Sequence, residues 1–427
     1  MKTTTRWLIA GFVAALTACG GGLLGNQGRI RLINATTGLG ALDLQIDGST
    51  AISGVAPATG SDYVLKKADT YTLNINQTGN AASLLTTTTA LVADKHKSVV
   101  AYNNGATLAA TILDDEEGKP GRNKAKLRIF NTSTASDAQV DVYLVSAACN
   151  TLDGSLAAPT AANVSGLQTS YTELSASATP FHLCVTSAGD KSDVRLEIPS
   201  FVLSDQRIVT VILAAGSGGH LLNAILLDQQ AAATQVLNPS ARARVASSVP
   251  GQSGVDVSVN GTAIAAGLTS PNVGPYVLVP QGNVSLTVNG SPVAPVAPLT
   301  AGPGADITVL LTGTGSTANL LADDNTPSSS TARPVKLRLV NGLNGIAATA
   351  TLTLNNVLVG SGAPPGQASG YSQVASSAGL ARLEARIGAV TYYLNPTATL
   401  ESGRVYSLFL LGDGTIQGSV GILIPDR

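Results

Sequence analysis

Charged side chains are scarce in this sequence of 427 residues: Asp, Glu, Lys and Arg make up 12%, about half the usual share of roughly 25%. The formal net charge is -1. A chain so balanced has no global field to attract nucleic acid or an anionic membrane surface. Aromatic residues make up only 4%, and the single tryptophan is Trp7. This composition disfavours a sugar-binding platform built from exposed aromatic rings.

Histidine and cysteine are also rare, with three of each. His96 lies in a turn, His182 in a predicted strand and His220 after a glycine-rich turn. They are not accompanied by a Gly-x-Ser-x-Gly elbow, a phosphate-binding loop or clustered zinc ligands. We therefore predict a protein that is not an enzyme and uses no metal or cofactor. A hydrolase whose catalytic residues converge only in space is the alternative.

Apolar residues, in contrast, reach 44%, together with 45 glycines and 20 prolines. This composition is too apolar for a disordered chain. The length of 427 residues also exceeds the roughly 250 to 300 at which single hydrophobic cores stop growing. Several domains are therefore expected.

The first residues have the pattern of an export signal. Lys2 and Arg6 precede a short apolar run, which ends in the tetrapeptide Leu-Thr-Ala-Cys at Cys19. This tetrapeptide resembles the lipobox of bacterial lipoproteins, whose cysteine is acylated, with palmitate among the acyl chains, and becomes the first mature residue. The resemblance implies a signal peptide at 1–18, a lipidated tether at 19–28 and, because Gly20 follows the cysteine, an outer-membrane location on either face. The alternative is an ordinary secretory signal cut after Ala18.

Internal repeats organise the rest of the chain. Four segments open alike, at residues 29–34, 126–131, 242–247 and 336–341. A second motif, led by Asp in three of the four copies, follows at 43–48, 141–144, 256–261 and, in degenerate form, 351–356. A tyrosine comes next, as Tyr63, Tyr171, Tyr276 and Tyr371. Agreement at matched spacing indicates four copies of one structural unit.

Each repeat continues as short runs of alternating apolar and polar residues, separated by Gly, Pro or Asn. This pattern predicts antiparallel strands, about seven per repeat. The expected fold is all-β, with four tandem immunoglobulin-like antiparallel β-sandwich domains at 29–115, 126–228, 242–323 and 336–427. The linkers between them are short and polar, which predicts an end-to-end array with limited bending.

The opening strand and the Asp-led strand together resemble those of the bacterial domain-of-unknown-function family 4397. The resemblance covers nearly all of residues 29–424 as four copies. It is weakest in the third, where Ala246 and Ser247 replace an Asn-Ala pair. It implies a β-sandwich fold and a location in the cell envelope, and it supplies no catalytic residues.

Two basic residues alternate with apolar ones in every opening strand: Arg29 and Arg31, Lys126 and Arg128, Arg242 and Arg244, Lys336 and Arg338. We interpret them as charges that protect an exposed sheet edge. Acidic residues of the second strands are placed to pair with them, Asp43 with Arg31, Asp141 with Arg128 and Asp256 with Arg244. An anion-binding stripe is the alternative.

Acidic clusters lie at two repeat junctions, residues 114–117 and 323–325. Calcium could rigidify such junctions through oxygen ligands, although neither cluster fits the spacing of a known calcium motif. We expect solvated linkers and keep calcium binding as the alternative.

The remaining cysteines, Cys149 and Cys184, are an even pair once Cys19 is lipidated. An exported chain meets an oxidising compartment. We predict a Cys149–Cys184 disulfide that attaches an insertion in the second repeat to its sandwich. Buried free thiols are the alternative.

These features favour a non-catalytic, lipid-anchored envelope protein that acts as a surface spacer, adhesion module or protein-binding module. A carbohydrate- or peptidoglycan-binding lipoprotein is the second hypothesis, and a secreted hydrolase is the third. The expected partners are the membrane, through the lipid on Cys19, and an unidentified protein or glycan. Nucleic acid is not expected as a partner.

Overall fold

The protein is described from a computed structural model, which covers residues 25–104, 107–133, 139–152, 158–252, 254–328 and 332–427. Within these ranges the regular structure is β-strand apart from a single 3-10 turn at Cys149–Thr151. No helix in these ranges is long and apolar enough to cross a membrane. The strands form two-sheet units in chain order, which confirms the predicted tandem β-sandwiches.

The first half of the described chain forms units 1 and 2. Unit 1 contains β1 (Gln27–Asn34), β2 (Leu42–Ile46), β3 (Ser49–Val55), β4 (Thr59–Gly60), β5 (Val64–Lys67), β6 (Asp69–Gln77), β7 (Ser83–Leu91), β8 (His96–Asn104) and β9 (Thr107–Asp114). Unit 2 contains β10 (Lys124–Asn131), β11 (Val140–Val145), β12 (Ala161–Val164), β13 (Gly166–Leu167), β14 (Thr172–Ser175), β15 (Ser177–Ser187), β16 (Asp190–Leu203), β17 (Ile208–Ala215), β18 (Leu222–Asp228) and β19 (Ala233–Val236).

The second half forms units 3 and 4. Unit 3 contains β20 (Ser240–Ser247), β21 (Val255–Val259), β22 (Thr262–Leu268), β23 (Asn272–Val273), β24 (Val277–Pro280), β25 (Gly282–Asn283), β26 (Leu286–Val288), β27 (Ser291–Val293), β28 (Thr300–Ala301), β29 (Asp306–Thr312) and β30 (Thr317–Asp323). Unit 4 contains β31 (Val335–Leu343), β32 (Ala350–Leu354), β33 (Val357–Leu358), β34 (Gln367–Ala368), β35 (Ser372–Val374), β36 (Ser377–Ile387), β37 (Val390–Leu400), β38 (Val405–Gly412) and β39 (Ser419–Pro425).

Every unit is built on the same pair of sheets. In unit 1 the first sheet has the order β4-β1-β8-β9, with β5 also paired to β1, and the second has the order β3-β2-β6-β7. Units 2, 3 and 4 repeat this plan around their opening strands β10, β20 and β31. Each opening strand is parallel to the next-to-last long strand and antiparallel to two short segments on its other side. It therefore lies in the interior of its sheet.

Alternation along the strands places apolar side chains between the two sheets. In unit 1, Ile30 and Leu32 of β1 pack with Leu44 of β2, Leu73 of β6 and Val99 of β8, and all five are almost fully buried. Burying such a side chain contributes roughly 1.5 to 3 kcal/mol. Each unit has its own core of this kind, which explains why the period-2 pattern in the sequence predicts the sandwiches correctly.

The outer faces of the first sheets are also apolar, and they pack against one another in pairs. Ile33 and Val100 of unit 1 share one buried cluster with Phe130 and Ile212 of unit 2. A corresponding cluster joins units 3 and 4 through residues that include Ala246, Leu310, Val340 and Phe409. The expected end-to-end array is therefore wrong, because neighbouring units lie face to face. The linker composition indicates where one unit ends, but it carries no information about this second apolar face.

Units 2 and 3 meet at the glycine-rich turn that follows β17. The Gly218 amide donates to the Gly304 carbonyl at 2.9 Å, and the Gly218 carbonyl accepts from the Asn325 amide at 3.0 Å. A Cβ atom on Gly218 would overlap the backbone nitrogen and the Cγ atom of Asp306. The guanidinium of Arg427, at the end of unit 4, donates to the carbonyl of Gly219. At Gly218 the backbones of units 2 and 3 lie so close together that only glycine fits.

We expect Gly218→Ala to lower the free energy of unfolding by about 1 to 3 kcal/mol, the usual cost of forcing an extra methyl group into a packed contact. Gly118→Ala is the matched control, because its Cβ atom would have no heavy atom within 4 Å. Urea unfolding of both variants measures the difference. Equal midpoints would contradict the close approach at this junction.

Candidate functional site

The arginines of the opening strands are buried, not exposed at an edge. Arg31, Arg128, Arg244 and Arg338 have relative exposures of 0, 8, 2 and 2%. The predicted edge protection is wrong because each opening strand lies inside its sheet. Its polar face points away from the sandwich core and towards the adjacent unit.

Each arginine belongs to a recurring group that we call the interface set: an arginine, a tyrosine, a hydroxyl residue and the residue at the end of the strand that follows the hydroxyl residue's strand. The interface sets are Arg31, Tyr63, Ser98 and Asp115; Arg128, Tyr171, Thr210 and Gln229; Arg244, Tyr276, Thr308 and Asp323; and Arg338, Tyr371, Ser407 and Asp426. In every set the guanidinium carbon lies 4.4 to 4.6 Å from the tyrosine ring centroid. Such stacking of a desolvated cation contributes about 2 kcal/mol.

Strand register explains the geometry of the interface sets. The arginine and the hydroxyl residue are direct partners in the parallel pairing of two strands, as in Arg31 with Ser98 and Arg338 with Ser407. In each set the arginine Nε donates to the hydroxyl oxygen, at distances of 2.6, 3.1, 2.9 and 2.8 Å in chain order. The sequence repeats reveal the arginine and the tyrosine. The Ser or Thr and the terminal Asp also recur, but only the pairing brings them to the arginine.

Units 3 and 4 exchange ion pairs across their interface. Arg338 of unit 4 donates through Nη2 to Asp323 of unit 3 at 2.5 Å. Arg244 of unit 3 donates through Nη1 to Asp426 of unit 4 at 2.6 Å. Both carboxylate side chains are fully buried. The arrangement is reciprocal, so two arginines and two carboxylates neutralise each other between the units.

Asp323 is the most heavily bonded of these carboxylates. It also accepts from the Tyr276 hydroxyl and the Thr308 hydroxyl, both at 2.6 Å. Burial opposes its ionisation, but Arg338 and Arg244 outweigh burial and hold the pKa of Asp323 below its usual range. Burial and the adjacent carboxylate raise the pKa of Tyr276 well above its ordinary value, so its hydroxyl remains a donor.

The interface between units 1 and 2 is less symmetric. Asp115 accepts from Arg31 at 3.5 Å, from Ser98 at 2.5 Å and from the Tyr63 hydroxyl, all within unit 1. Arg31 also donates through Nη1 to the Ala231 carbonyl of unit 2 at 2.5 Å. In unit 2 the position of the terminal carboxylate is occupied by Gln229.

The predicted pairing of the second-strand aspartates with the arginines is wrong. These strands belong to the opposite sheet, so the sandwich core separates the two sets of side chains. Asp43 instead accepts from the Gly54 amide, Asp141 from the Asn163 and Gly189 amides, and Asp256 from the Gly267 amide. Their role is to hold the turns between strands.

The acidic junctions bind cationic side chains of the protein. Asp114 pairs with Lys97, Glu116 with His96, Glu117 with Lys126, Asp323 with Arg338 and Asp324 with Lys336. The described ranges contain no group of three or more His, Cys, Asp or Glu residues that could hold a metal ion. Asp323 is fully buried between units 3 and 4, so the expected solvated linker is wrong there, whereas the side chains of Asp114 and Asp324 are 72 and 56% exposed.

The disulfide between Cys149 and Cys184 is present, with Cα atoms 5.5 Å apart. Cys184 lies on β15 opposite Tyr143, and Cys149 lies in the 3-10 turn. The bond therefore attaches the insertion to the outer face of the second sheet, as predicted. Cys19 lies outside the described residues.

The histidines are held by carboxylates. His96 bonds Glu116 at 2.8 Å, His182 bonds Glu197 at 2.6 Å and His220 bonds Asp193 at 2.8 Å. The second oxygen of Asp193 accepts from the Ser187 hydroxyl, so a carboxylate lies between this hydroxyl and the histidine ring. Burial lowers the pKa of His220, and Arg242 and Arg427 lower it further against the opposing effect of Asp193.

Comparison with known families agrees with this repeated architecture. The family described as Domain of unknown function (DUF4397) matches residues 28–143 and 241–345, just over half of the sequence. The chain belongs to this family. All four stacked arginines, Arg31, Arg128, Arg244 and Arg338, lie within the DUF4397 matches. No curated protein matches the chain.

Solved structures offer only distant likenesses. One, titled for alpha-glucan recognition by family 41 carbohydrate-binding modules from streptococcal virulence factors, is 12% identical with a TM-score of 0.17, covering 43% of this chain and 93% of its own. A putative cell adhesion protein from Bacteroides ovatus is 11% identical with a TM-score of 0.16, covering 72% and 97%. The Bacillus anthracis TIE protein is 8% identical with a TM-score of 0.13, covering 90% and 68%. At these TM-scores the likenesses carry no argument about function.

Proposed function

We propose that this DUF4397 protein is a non-catalytic, lipid-anchored protein of the cell envelope that binds a protein partner. One observation carries the proposal: the recurring arginines are buried between paired units, where Arg31 bonds a carbonyl of unit 2 and Arg244 and Arg338 bond carboxylates of the neighbouring unit. Their chemistry is committed to assembly. The result is a stiff platform, which suits the presentation of fixed surfaces.

Face-to-face pairing favours a binding platform over a spacer. A spacer gains reach when its domains are stacked end to end, whereas paired sandwiches shorten the array. Pairing covers the first sheets and leaves the outer faces of the second sheets accessible. In unit 1 this face includes exposed Thr86 and Thr88, and in unit 4 it includes Leu394, which is 49% exposed. We propose that the partner binds on such a face.

Anchoring is tested with Cys19→Ala, which we expect to abolish lipid labelling and signal-peptidase processing and so leave a larger precursor. The physical reason is that stable binding to a bilayer requires acyl chains or a long apolar segment. Metabolic labelling with an alkyne fatty acid and fractionation of the envelope measure both outcomes. Unchanged mass and labelling in the variant would contradict lipidation.

Partner binding is tested by a photo-reactive amino acid placed at Thr88 or Leu394 of the full-length protein in cells. We expect one discrete crosslinked envelope protein from at least one of these positions, and none from the linker position Gly118. Crosslinks to glycan strands instead would favour a peptidoglycan-binding lipoprotein. Absence of any crosslink from both faces would contradict the platform.

A further inference from the structure

Unit 2 is the exception among the interface sets because it lacks the terminal carboxylate. Asp323 ends the last strand of unit 3, and Asp115 and Asp426 directly follow the last strands of units 1 and 4. Gln229 occupies the corresponding position in unit 2, directly after β18. The Gln229 side chain does not turn towards the arginines. Its Oε1 accepts from the Glu117 amide and its Nε2 donates to the Glu117 carbonyl, both at 2.9 Å.

The substitution leaves one nitrogen of a buried cation, Arg128, without an acceptor. Nη2 of Arg128 is inaccessible to solvent and has no hydrogen-bond acceptor among the described residues, and the whole residue is only 8% exposed. Arginine does not lose its proton in proteins. A buried charge with an unsatisfied donor destabilises the folded protein.

A second donor faces the same gap. The hydroxyls of Ser98, Thr308 and Ser407 each donate to a carboxylate, at 2.5, 2.6 and 2.5 Å. The corresponding hydroxyl, Thr210, accepts from Arg128 Nε and bonds the Tyr171 hydroxyl, and it contacts no carboxylate in the described part of the chain. Unit 2 therefore presents a guanidinium N–H and a hydroxyl without the acidic acceptor that its three homologues possess.

Charge counting indicates what is missing. The interface sets of units 3 and 4 contain two arginines and two carboxylates, whereas those of units 1 and 2 contain Arg31 and Arg128 with Asp115 alone. Asp115 is already bonded to Arg31, Ser98 and Tyr63. The deficit is one negative charge. The Tyr171 ring covers the face of the Arg128 guanidinium at 4.4 Å, so its in-plane N–H groups are the ones that remain for a ligand.

We propose that a small monovalent anion of the halide class binds between units 1 and 2, held by Arg128 Nη2 and the Thr210 hydroxyl. The anion replaces the carboxylate that Gln229 does not supply. A single charge and a compact size match the deficit and the burial of the site. Units 1 and 2 are then held together in part by an ion taken from solution.

Bromide is the direct probe. We expect crystals of the full-length protein, purified in a non-ionic detergent and soaked in sodium bromide, to show an anomalous peak within hydrogen-bonding distance of Arg128 and Thr210. Density at this position without an anomalous signal would identify water and overturn the proposal.

Halide-dependent stability is the solution test. Thermal unfolding is compared in sodium chloride and in sodium gluconate at equal ionic strength. When chloride nearly saturates the site, we expect the midpoint temperature of the first unfolding transition to be about 3 °C higher in sodium chloride. Gln229→Asp supplies the carboxylate and is expected to remove this difference while raising the midpoint in gluconate. Gln229→Asn has nearly the same shape without the charge, and the halide response should persist.

Gln229→Asp and Gln229→Asn together test whether an anion binds at Arg128. A halide response that is unchanged in Gln229→Asp, or one already absent in the wild type, would overturn the anion site. These outcomes do not depend on lipidation or partner binding, so they are separate from the tests of the proposed function.

Discussion

Asp323→Ala is expected to lower the free energy of unfolding of units 3 and 4 by about 3 to 5 kcal/mol, the cost of leaving a buried cation without its partner. Asp323 accepts from Arg338 at 2.5 Å and from the hydroxyls of Tyr276 and Thr308 at 2.6 Å. Its removal leaves three donors unpaired between the two units. Urea unfolding followed by tyrosine fluorescence measures the loss.

The neighbouring residue supplies the control. Asp324 pairs with Lys336 at 2.7 Å, but its side chain is 56% exposed. Lys336 is largely buried, but it also donates to the backbone carbonyls of Asp324 and Thr326 and keeps both acceptors in Asp324→Ala. This variant should therefore lose less stability than Asp323→Ala. Similar losses in the two variants would contradict the special role of the buried carboxylate.

Acid sensitivity follows from the same group. Because the folded protein lowers the pKa of Asp323, its contribution is fully present above the unfolded value of about 3.9 and is lost as pH falls through the lower folded value. The wild type should therefore lose more stability than Asp323→Ala between about pH 5 and about pH 2. Parallel curves for the two proteins would exclude Asp323 as the source of acid sensitivity.

Reduction of the disulfide is the second large expected effect. Cys149 and Cys184 are 35 residues apart in sequence, and closing a loop of that length stabilises a domain by about 3 to 4 kcal/mol in the chain-entropy model. We expect dithiothreitol to lower the unfolding midpoint of unit 2 accordingly. The double variant Cys149→Ala and Cys184→Ala should unfold near the reduced midpoint.

Comparison of oxidised and reduced protein separates this effect from side-chain packing. Both cysteines are almost fully buried, so alanine also removes packed atoms, whereas reduction retains them. The double variant should not respond to dithiothreitol. A wild-type midpoint that is insensitive to the reductant would show that the loop is held by other contacts.

Much of the architecture could be predicted from the sequence because it depends on local patterns. The alternation of Ile30 and Leu32 with charged residues predicts a strand with one apolar face, and four recurrences of the pattern predict four sandwiches. The disulfide pairing could also be predicted, since only two cysteines remained after Cys19.

The role of the arginines could not be predicted in the same way. Arg31 and Tyr63 recur visibly in the sequence, but a basic residue on a strand has the same pattern whether its face meets water or another unit. The prediction of an exposed edge was wrong for that reason, as was the expected pairing with Asp43. Strand order decides both questions, because it places β1 inside its sheet and Asp43 on the opposite one.

The sequence by itself determined the repeats, the strands, the core faces and the disulfide of this protein, because each depends on residue identity and short-range periodicity. Only the tertiary structure decided that the units pack face to face and that Arg338 meets Asp323 while Arg244 meets Asp426. Such contacts join residues of different units, and burial makes them strong by removing water from between opposite charges. Their geometry follows from how two sheets pack, which no local pattern encodes.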